Sequence, residues 1–290
     1  MSSALLSANS NGFNSFVPVE IDHDFKFARP EVGKEKKRSN QCKIWSNIYE
    51  ICEILRIPCE SQDSEARPTF QHLQFKTGHR IHAIGQAFDT LYVVNSGFLK
   101  TVLLDDFGNE QVLSFPMQGD ILGVDSIHTK FYASEAVALS DCNLILVPFN
   151  ALVELGRKEA AFEKVIYNVL SRELFRKQAL VSLLCAQKAD AKVARFLIYL
   201  SEKFHEMGYS RSTFSLRMTR QEIGSYLGLS LETVSRAMST LKEVGVIGVD
   251  QRSIKINEED VYKMILSLPT PRSRLAVPGA QRTVKTSECL

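Results

Sequence analysis

The sequence has no apolar run long enough for a membrane helix and no dense set of cysteines. A spanning helix needs about 20 consecutive apolar residues, and the stretch ALLSA near the N-terminus is too short for a secretory signal. Six cysteines are scattered through 290 residues, whereas disulfide frameworks are dense in short secreted chains. We therefore expect a cytoplasmic protein with reduced thiols and no membrane partner.

Net charge and catalytic motifs are also sparse. The 35 basic and 33 acidic side chains leave a formal charge of +2, so a nucleic-acid footprint has to be local. The chain has no GxxxxGKS/T phosphate loop, no GxSxG nucleophile turn and no HExxH metal motif. With 44% hydrophobic residues the composition is typical of globular domains, and we predict that the protein is not an enzyme.

What is present is a change of pattern along the chain. Between about residues 67 and 149, short alternating runs are separated by glycines at the spacing of about 8 to 12 residues that is typical of sandwiches and barrels. Beyond residue 150 the period becomes helical, and two short helices then precede an alternating hairpin, VGVIGVDQRSIKI. These patterns predict an α+β chain: an N-terminal antiparallel β-roll of the jelly-roll type, a long dimerisation helix and a C-terminal winged helix-turn-helix.

These changes divide the chain into five predicted segments. The ends are rich in Ser and Asn or in Pro and lack periodicity, so we expect them to be disordered. The roll is expected to begin with a short amphipathic helix that starts at Trp45. The segments are a disordered extension over 1–44, the roll over 45–152, the long helix over 153–187, the winged domain over 188–266 and a disordered tail over 267–290.

The predicted long helix carries an apolar arc broader than a single stripe. Such an arc indicates two neighbours, the roll on one side and a second copy of the same helix on the other. One long core helix is the alternative. The residues assigned to the dimer helix are Phe162, Ile166, Leu170, Leu174, Val181 and Leu184.

Residues 219–230 have the pattern of two helices joined by a sharp turn. Thr219 and Glu222 fit a capping box, in which each side chain accepts a hydrogen bond from the other residue's backbone N–H. Gly228 permits a left-handed turn, and Ser230 is suited to cap the second helix. Two helices joined by a glycine turn indicate a helix-turn-helix.

The second helix, LETVSRAMSTL, has one apolar face and one small polar face. Residues at helical spacing are expected to pack inward and to hold the opposite face outward. The inward residues are Val234, Ala237 or Met238, Leu241 and Val244. The outward residues are Glu232, Ser235, Arg236 and Ser239.

This outward face fits a recognition helix, which meets base edges in the major groove. Arginine binds the O6 and N7 of guanine, and glutamate accepts from the N4 amine of cytosine, so we assign Glu232, Ser235 and Arg236 to bases. A solvated helix with a Glu–Arg pair is the alternative. Residues 211–255 carry seven basic and four acidic side chains. The predicted phosphate contacts are Arg217, Arg220, Ser239, Lys242, Arg252 and Lys255.

The order of roll, long helix and winged helix-turn-helix resembles the CRP/FNR family of bacterial transcription regulators over about residues 67–265. The carrying motifs are LYVVNSGFLKT, GNEQVLSFPMQGDILG and MTRQEIGSYLGLSLETVSRAMSTLKEVGVI, and the pattern of Glu232, Ser235 and Arg236 matches the FNR branch. The resemblance implies a cyclic-nucleotide-binding-like roll that receives a signal, and a homodimer on double-stranded DNA at an inverted repeat similar to TTGAT-N4-ATCAA. It also implies RNA polymerase as a partner.

Two ligands of this family meet departures in the sequence. Members that bind cyclic nucleotides hold the phosphate with an Arg followed by Ser or Thr, where this chain has Tyr132 and Ala133, so a charge-assisted partner is missing. Iron–sulfur members have closely spaced N-terminal cysteines and one on the roll, whereas here the first three cysteines are separated by gaps of nine and six residues. We predict buried or incidental cysteines and no cofactor, with a cluster as the alternative. The ligands of that cluster would be Cys42, Cys52, Cys59 and Cys142.

A cupin-like metal-dependent enzyme is the alternative from another class, because jelly rolls also build such sites. His72, His79 and His82 lie close in sequence, and histidine is a common ligand of transition metals. His79 and His82 are three positions apart, so on one strand they point to opposite faces, and no carboxylate follows at a suitable spacing. We therefore favour histidines at a strand or turn surface.

Overall fold

The computed structural model describes residues 45–58, 68–104, 108–158, 160–185 and 188–257, which all belong to one unit, Lys43–Leu290. The predicted extension and tail lie outside the described residues, as do Cys42 and Cys59. Within the described ranges, no helix is both long and apolar enough to cross a membrane.

Two antiparallel sheets form the β-roll and share one apolar core. The strands are β1 Trp45–Asn47, β2 Thr69–Phe75, β3 Arg80–His82, β4 Thr90–Ser96, β5 Leu99–Leu104, β6 Glu110–Ser114, β7 Ile121–Leu122, β8 Glu135–Ala138 and β9 Cys142–Pro148. The five-stranded sheet has the order β1-β2-β9-β4-β7, and the four-stranded sheet has the order β3-β8-β5-β6. The predicted roll is confirmed, and β6 lies at an edge of the four-stranded sheet.

Helix α1, Ile48–Leu55, covers the roll at the start of the described chain. The Asn47 side chain accepts hydrogen bonds from the backbone N–H groups of Tyr49 and Glu50, each at 3.0 Å. Glu50 reaches back to the Asn47 N–H, which completes a capping box. Because this box fixes the start of the helix at Ile48, Trp45 is not helical as predicted. It lies on strand β1, where it pairs with Gln71 of β2, and it is 49% exposed.

Two helices follow the roll where one long helix is predicted. Helix α2 covers Phe149–Lys158 and helix α3 covers Ala160–Leu184, so helical structure begins inside the predicted roll segment. Phe162, at 2% exposure, packs into the core of the roll within a single chain. The first turns of α3 therefore lie against the roll, and the assignment of Phe162 to the dimer helix stays a prediction.

Residues 188–257 form three helices and a small sheet. They are α4 Ala189–Glu206, β10 Thr213–Ser215, α5 Arg220–Leu227, α6 Leu231–Glu243, β11 Ile247–Asp250 and β12 Ser253–Ile256. Strands β11 and β12 form the predicted hairpin, and β10 joins them in the order β10-β12-β11. Val244 does not pack inward as predicted: it follows the end of α6 as its cap and is 61% exposed.

A second apolar core lies among α4, α5, α6 and the small sheet. Four buried residues of the roll belong to the same core, so the roll and the helix-turn-helix are in contact in this unit. These residues are Val102, Val112, Phe115 and Met117.

Candidate nucleic-acid interface

Helix α5 begins with the predicted capping box. Thr219 Oγ1 accepts from the Glu222 backbone N–H at 3.1 Å, and Glu222 Oε2 accepts from the Thr219 N–H at 2.7 Å. The helix ends at Gly228, whose φ of +65° lies in the left-handed region that favours glycine. Ser230 Oγ accepts from the Thr233 N–H at 3.2 Å and so caps α6. The predicted helix-turn-helix pattern is confirmed.

Gly224 is a turn residue that sequence reasoning missed. Its carbonyl oxygen accepts from the Leu229 N–H at 2.9 Å, and a Cβ at this position would lie 2.6 Å from the Leu229 carbonyl oxygen. The turn therefore closes over a position that only glycine fits. The signal was present, since glycine inside a helix costs about 1 kcal/mol relative to alanine and indicates a close approach.

Helix α6 has the two faces expected from its sequence. Val234, Met238 and Leu241 are 0%, 3% and 0% exposed and anchor the helix in the core. The opposite face consists of Glu232, Arg236 and Ser239, which are exposed, and Ser235, which is half-buried. The small polar side chains therefore point away from the domain.

Glu232 is held in its ionised form at the start of α6. The pKa of this carboxyl is lowered, first by hydrogen bonds from its own backbone N–H and from Ser230, and only last by the charge of Arg236. The Glu–Arg pair that was the alternative explanation of this face therefore contributes least. An ionised carboxylate is an acceptor only, which is the property that a cytosine amine requires.

Leu231 belongs to the same end of α6, and sequence reasoning missed it. It is the first residue of the helix, directly before Glu232, and it is 45% exposed. Its position, three residues before Val234 and seven before Met238, would place it with the inward set, so only the structure shows that this apolar side chain is exposed at the start of the helix.

The six predicted phosphate contacts do not share one environment. Lys242, Arg252 and Lys255 are exposed on α6 and on the small sheet, and Lys242 Nζ reaches the Val249 carbonyl oxygen at 3.5 Å. These cations, with Ser239, lie on the part of the domain that carries the recognition face and the hairpin.

Arg217 and Arg220 are oriented differently from these cations. The Arg217 guanidinium lies 5.9 Å from the ring centroid of Phe98, a residue of the roll. Arg220 is half-buried, and burial lowers the pKa of its guanidinium. Both side chains are thus partly engaged by the protein itself.

Comparisons with known proteins agree with this geometry. Residues 72–159 match the family described as the cyclic nucleotide-binding domain, and residues 191–261 match the Crp-like helix-turn-helix domain. The transcriptional activator protein Anr of Pseudomonas protegens is 33% identical over 215 residues, which cover 74% of this chain and 88% of that protein. The chain belongs to the CRP/FNR family of transcription regulators.

A second curated relative and a solved structure are also similar to this chain over most of their length. The transcriptional activator protein FnrA of Stutzerimonas stutzeri is 30% identical over 220 residues, covering 76% of this chain and 90% of that protein. The solved structure of FixK2 from Bradyrhizobium japonicum has a TM-score of 0.61 at 26% identity, and it covers 67% of this chain and 96% of that chain. The protein is thus a transcription regulator with a helix-turn-helix DNA-binding domain and, as predicted, not an enzyme.

The CRP/FNR roll of this chain does not fit a cyclic nucleotide. Tyr132, the residue that the family resemblance places at the phosphate-binding arginine, is 1% exposed. Its ring stacks on His82 with a centroid distance of 4.0 Å, and its hydroxyl donates to the Thr90 carbonyl oxygen at 2.6 Å. Phe88 packs against the edge of the same ring at 5.5 Å. A buried aromatic cluster thus occupies the position where a phosphate needs a guanidinium.

The histidines do not form the metal site of a cupin. His82 belongs to the aromatic cluster, whereas His79 is exposed. The His72 ring nitrogens lie 2.8 Å from Ser46 Oγ and 2.8 Å from Asn143 Oδ1. Among the residues that the structure describes, no three His, Cys, Asp or Glu side chains come together as a metal site requires. The cupin hypothesis is wrong, because the family consists of regulators.

The two described cysteines of the alternative iron–sulfur cluster, Cys52 and Cys142, do not have the surroundings of thiolate ligands. Cys142 is buried, and its Sγ donates to the carbonyl oxygens of Ser140 at 3.0 Å and Phe98 at 3.3 Å. Burial raises the pKa of this thiol, which favours the protonated form that does not bind metal. Cys52 is buried on α1 and lines an apolar pocket with Leu91.

Proposed function

We propose that the protein binds double-stranded DNA as a homodimer at an inverted repeat similar to TTGAT-N4-ATCAA. The observation that carries this proposal is the outward face of α6, where Glu232 and Arg236 are exposed while Val234 and Leu241 anchor the helix. A helix-turn-helix places the N-terminal residues of its second helix against base edges, and these residues occupy that end of α6.

Each proposed base contact follows from the chemistry of the side chain. Arg236 is suited to bind the O6 and N7 of the guanine in TTGAT, and the Glu232 carboxylate to accept from the N4 amine of a cytosine. Ser235 lies between them as a small donor or acceptor. Leu231 adds an apolar surface for a thymine methyl group, at a site rich in thymine.

The proposed dimer rests on the exposed side of α3. Its apolar side chains are separated by three, four, seven and three residues over about two heptads, which fits a two-helix seam in which one position carries a polar side chain. Leu170, Leu174 and Val181 of this side are 40%, 62% and 60% exposed. Tyr167 joins them at 60% exposure, and Leu184 continues the spacing at the end of the helix. Ile166, half-buried, flanks this seam.

The relatives support a role in activation. Anr and FnrA are both named transcriptional activators, and an activator at a promoter acts through RNA polymerase, which we propose as the protein partner in the cytoplasm. We assign reception of a signal to the roll, because the roll packs against both α3 and the helix-turn-helix.

Fluorescence anisotropy with the purified protein tests this function. A labelled duplex that contains TTGAT-N4-ATCAA is expected to bind at least about 1,000-fold more tightly than a scrambled duplex of equal composition. Sedimentation of the complex should give two protein chains per duplex. Equal affinity for both duplexes would refute sequence-specific binding, and one chain per duplex would refute the dimer.

A further inference from the structure

The first helix of the helix-turn-helix lies against the exposed edge of the roll. The Val112 N–H on β6 donates to Ser225 Oγ on α5 at 2.8 Å, and the same hydroxyl donates to the Glu110 carbonyl oxygen at 3.0 Å. An edge strand leaves such backbone groups unpaired. The Ser225 hydroxyl therefore satisfies two backbone groups at the edge of β6 that a further strand would otherwise pair. It thereby joins the helix-turn-helix to the roll at a fixed position.

A half-buried lysine, Lys100, holds the same contact from the neighbouring strand β5. Lys100 Nζ on β5 lies 2.6 Å from Glu110 Oε2 and 3.2 Å from Glu222 Oε1, and its side chain is only 12% exposed. Burial alone would lower the pKa of Lys100, but the hydrogen bonds to Glu110 and Glu222 outweigh it and raise the pKa. Because Glu222 also closes the capping box with Thr219, the N-terminus of α5 is tied to the roll.

Apolar contacts hold the two domains together without fixing their angle. The ring centroid of Phe115 in the roll lies 5.2 Å from that of Tyr226 on α5 and 6.0 Å from that of Phe196 on α4. Apolar burial is not directional, whereas charge-assisted hydrogen bonds depend on geometry. The contacts of Lys100 and Ser225 are thus directional contacts between the roll and α5 itself.

The docked arrangement leaves the recognition face open. Glu232, Arg236 and Ser239 remain exposed while α5 contacts the roll. The contact between the roll and the helix-turn-helix therefore does not cover the residues proposed to bind DNA. What the contact determines is the orientation of α6 relative to the roll.

From this geometry we infer that Lys100 and Ser225 are positioning residues that select the half-site spacing. This inference rests on the proposed function, in which two recognition helices must meet half-sites about one helical turn apart. A rotation of the helix-turn-helix on the roll changes the separation of the two α6 helices in a dimer. Lys100 and Ser225 lie at the contact between the roll and α5 and not on the recognition face of α6, and they act by holding that separation constant.

The test combines Lys100→Met and Ser225→Ala in the full chain. Methionine keeps the buried stem of the lysine and removes its charge. Binding is measured on TTGAT-N-ATCAA duplexes with spacers of four, five and six base pairs and on a duplex with one half-site. We expect the double variant to lose about tenfold in affinity for the four-base-pair spacer, equal to about 1.4 kcal/mol, and to bind the other spacers and the half-site as the parent does.

The comparison among spacers distinguishes a positioning role from an effect on folding. A general loss of folded protein would weaken binding to all duplexes equally. Lys76→Met is the matched control, since Lys76 pairs with Asp141 on the exposed surface of the roll. A folded, dimeric double variant that discriminates spacers like the parent would overturn the inference. Failure of the parent itself to prefer the TTGAT duplex over a scrambled one would instead contradict the proposed function.

A second measurement does not depend on DNA. The Val112 amide should exchange its hydrogen more slowly in the parent than in Ser225→Ala, because the serine hydroxyl is its acceptor. Equal exchange rates would show that α5 does not dock on β6 in solution, and the inference would fail whatever sequence the protein binds.

Discussion

Asp120 joins the roll to the DNA-binding part through a buried ion pair with Lys203, in which Asp120 Oδ1 lies 2.6 Å from Lys203 Nζ. Arg176 of α3 reaches the same oxygen atom at 2.7 Å. The other carboxylate oxygen accepts from the Met117 N–H at 3.0 Å. One carboxylate therefore contacts the roll, the proposed dimer helix and α4, and any rearrangement among these three parts has to break or move it.

Asp120→Asn should lower the free energy of unfolding by about 3 to 5 kcal/mol, the cost of removing one partner from a buried ion pair. Lys203 would keep its buried charge without the carboxylate that balances it, whereas Arg176 would retain its ion pair with Glu173. Urea denaturation followed by circular dichroism measures the change. Asp141→Asn is the control: it removes an exposed carboxylate that pairs with Lys76, and we expect no measurable change. Equal stability of both variants would contradict the role of Asp120 at the junction.

Arg236→Ala should weaken binding to the TTGAT duplex by about 1 to 3 kcal/mol and relax the preference at the guanine. Lys242→Ala should weaken cognate and scrambled duplexes alike and reduce the slope of log affinity against log salt, because a phosphate contact carries no sequence information. Anisotropy titrations at several salt concentrations distinguish the two. An Arg236→Ala variant as selective as the parent would remove Arg236 from the base contacts.

The helix-turn-helix was predictable because its signals are local. The capping box of Thr219 and Glu222, the turn at Gly228 and the cap at Ser230 involve residues no more than a few positions apart. Asp120 and Lys203 are 83 residues apart in sequence, and no pattern in the residues around either one indicates that the two form an ion pair. The contact between Lys100 and Glu222 is equally invisible before the domains are placed together.

Helical spacing also leaves the choice between two apolar faces open. Phe162 and Leu174 both fit the predicted stripe of α3, yet Phe162 is 2% exposed and Leu174 is 62% exposed. The difference arises because the roll covers the first turns of α3 and not the middle of the helix. Only the tertiary arrangement assigns each residue to a core or to a free surface.

Leu174→Asp should convert the proposed dimer to a monomer with little loss of folded structure, because the side chain is exposed within one chain and a charge in a two-helix seam is unfavourable. Sedimentation velocity measures the change, and full-site DNA affinity should fall with it. Ser182→Asp is the control, since Ser182 is exposed on α3 away from the spacing of Leu174 and Val181. A Leu174→Asp variant that remains dimeric would place the dimer interface elsewhere.

Gly224→Ala should destabilise the turn between α5 and α6, although helix propensity alone predicts a stabilisation. Alanine normally favours a helix by about 1 kcal/mol over glycine, but here its Cβ would lie 2.6 Å from the Leu229 carbonyl oxygen. We expect a lower melting temperature together with weaker DNA binding. Gly208→Ala is the comparison, because a Cβ there meets no atom within 4 Å and only the positive φ of +84° opposes it. A Gly224→Ala protein more stable than the parent would show that the turn is looser than the structure indicates.

His82 should make the stability of the roll depend on pH. Burial lowers the pKa of this imidazole from 6.5 to about 4, against a smaller opposing effect of Asp125. Below pH 6.5 the unfolded chain therefore binds a proton that the folded chain excludes, so stability is fully present above that pH and is lost as the pH falls toward 4. Between pH 7.5 and pH 5 the expected loss is about 2 kcal/mol. His82→Phe keeps a ring to stack on Tyr132 and removes the titration, so the difference in unfolding free energy between variant and parent should grow by this amount on acidification. A constant difference across that range would mean that His82 is solvated or protonated in the folded protein.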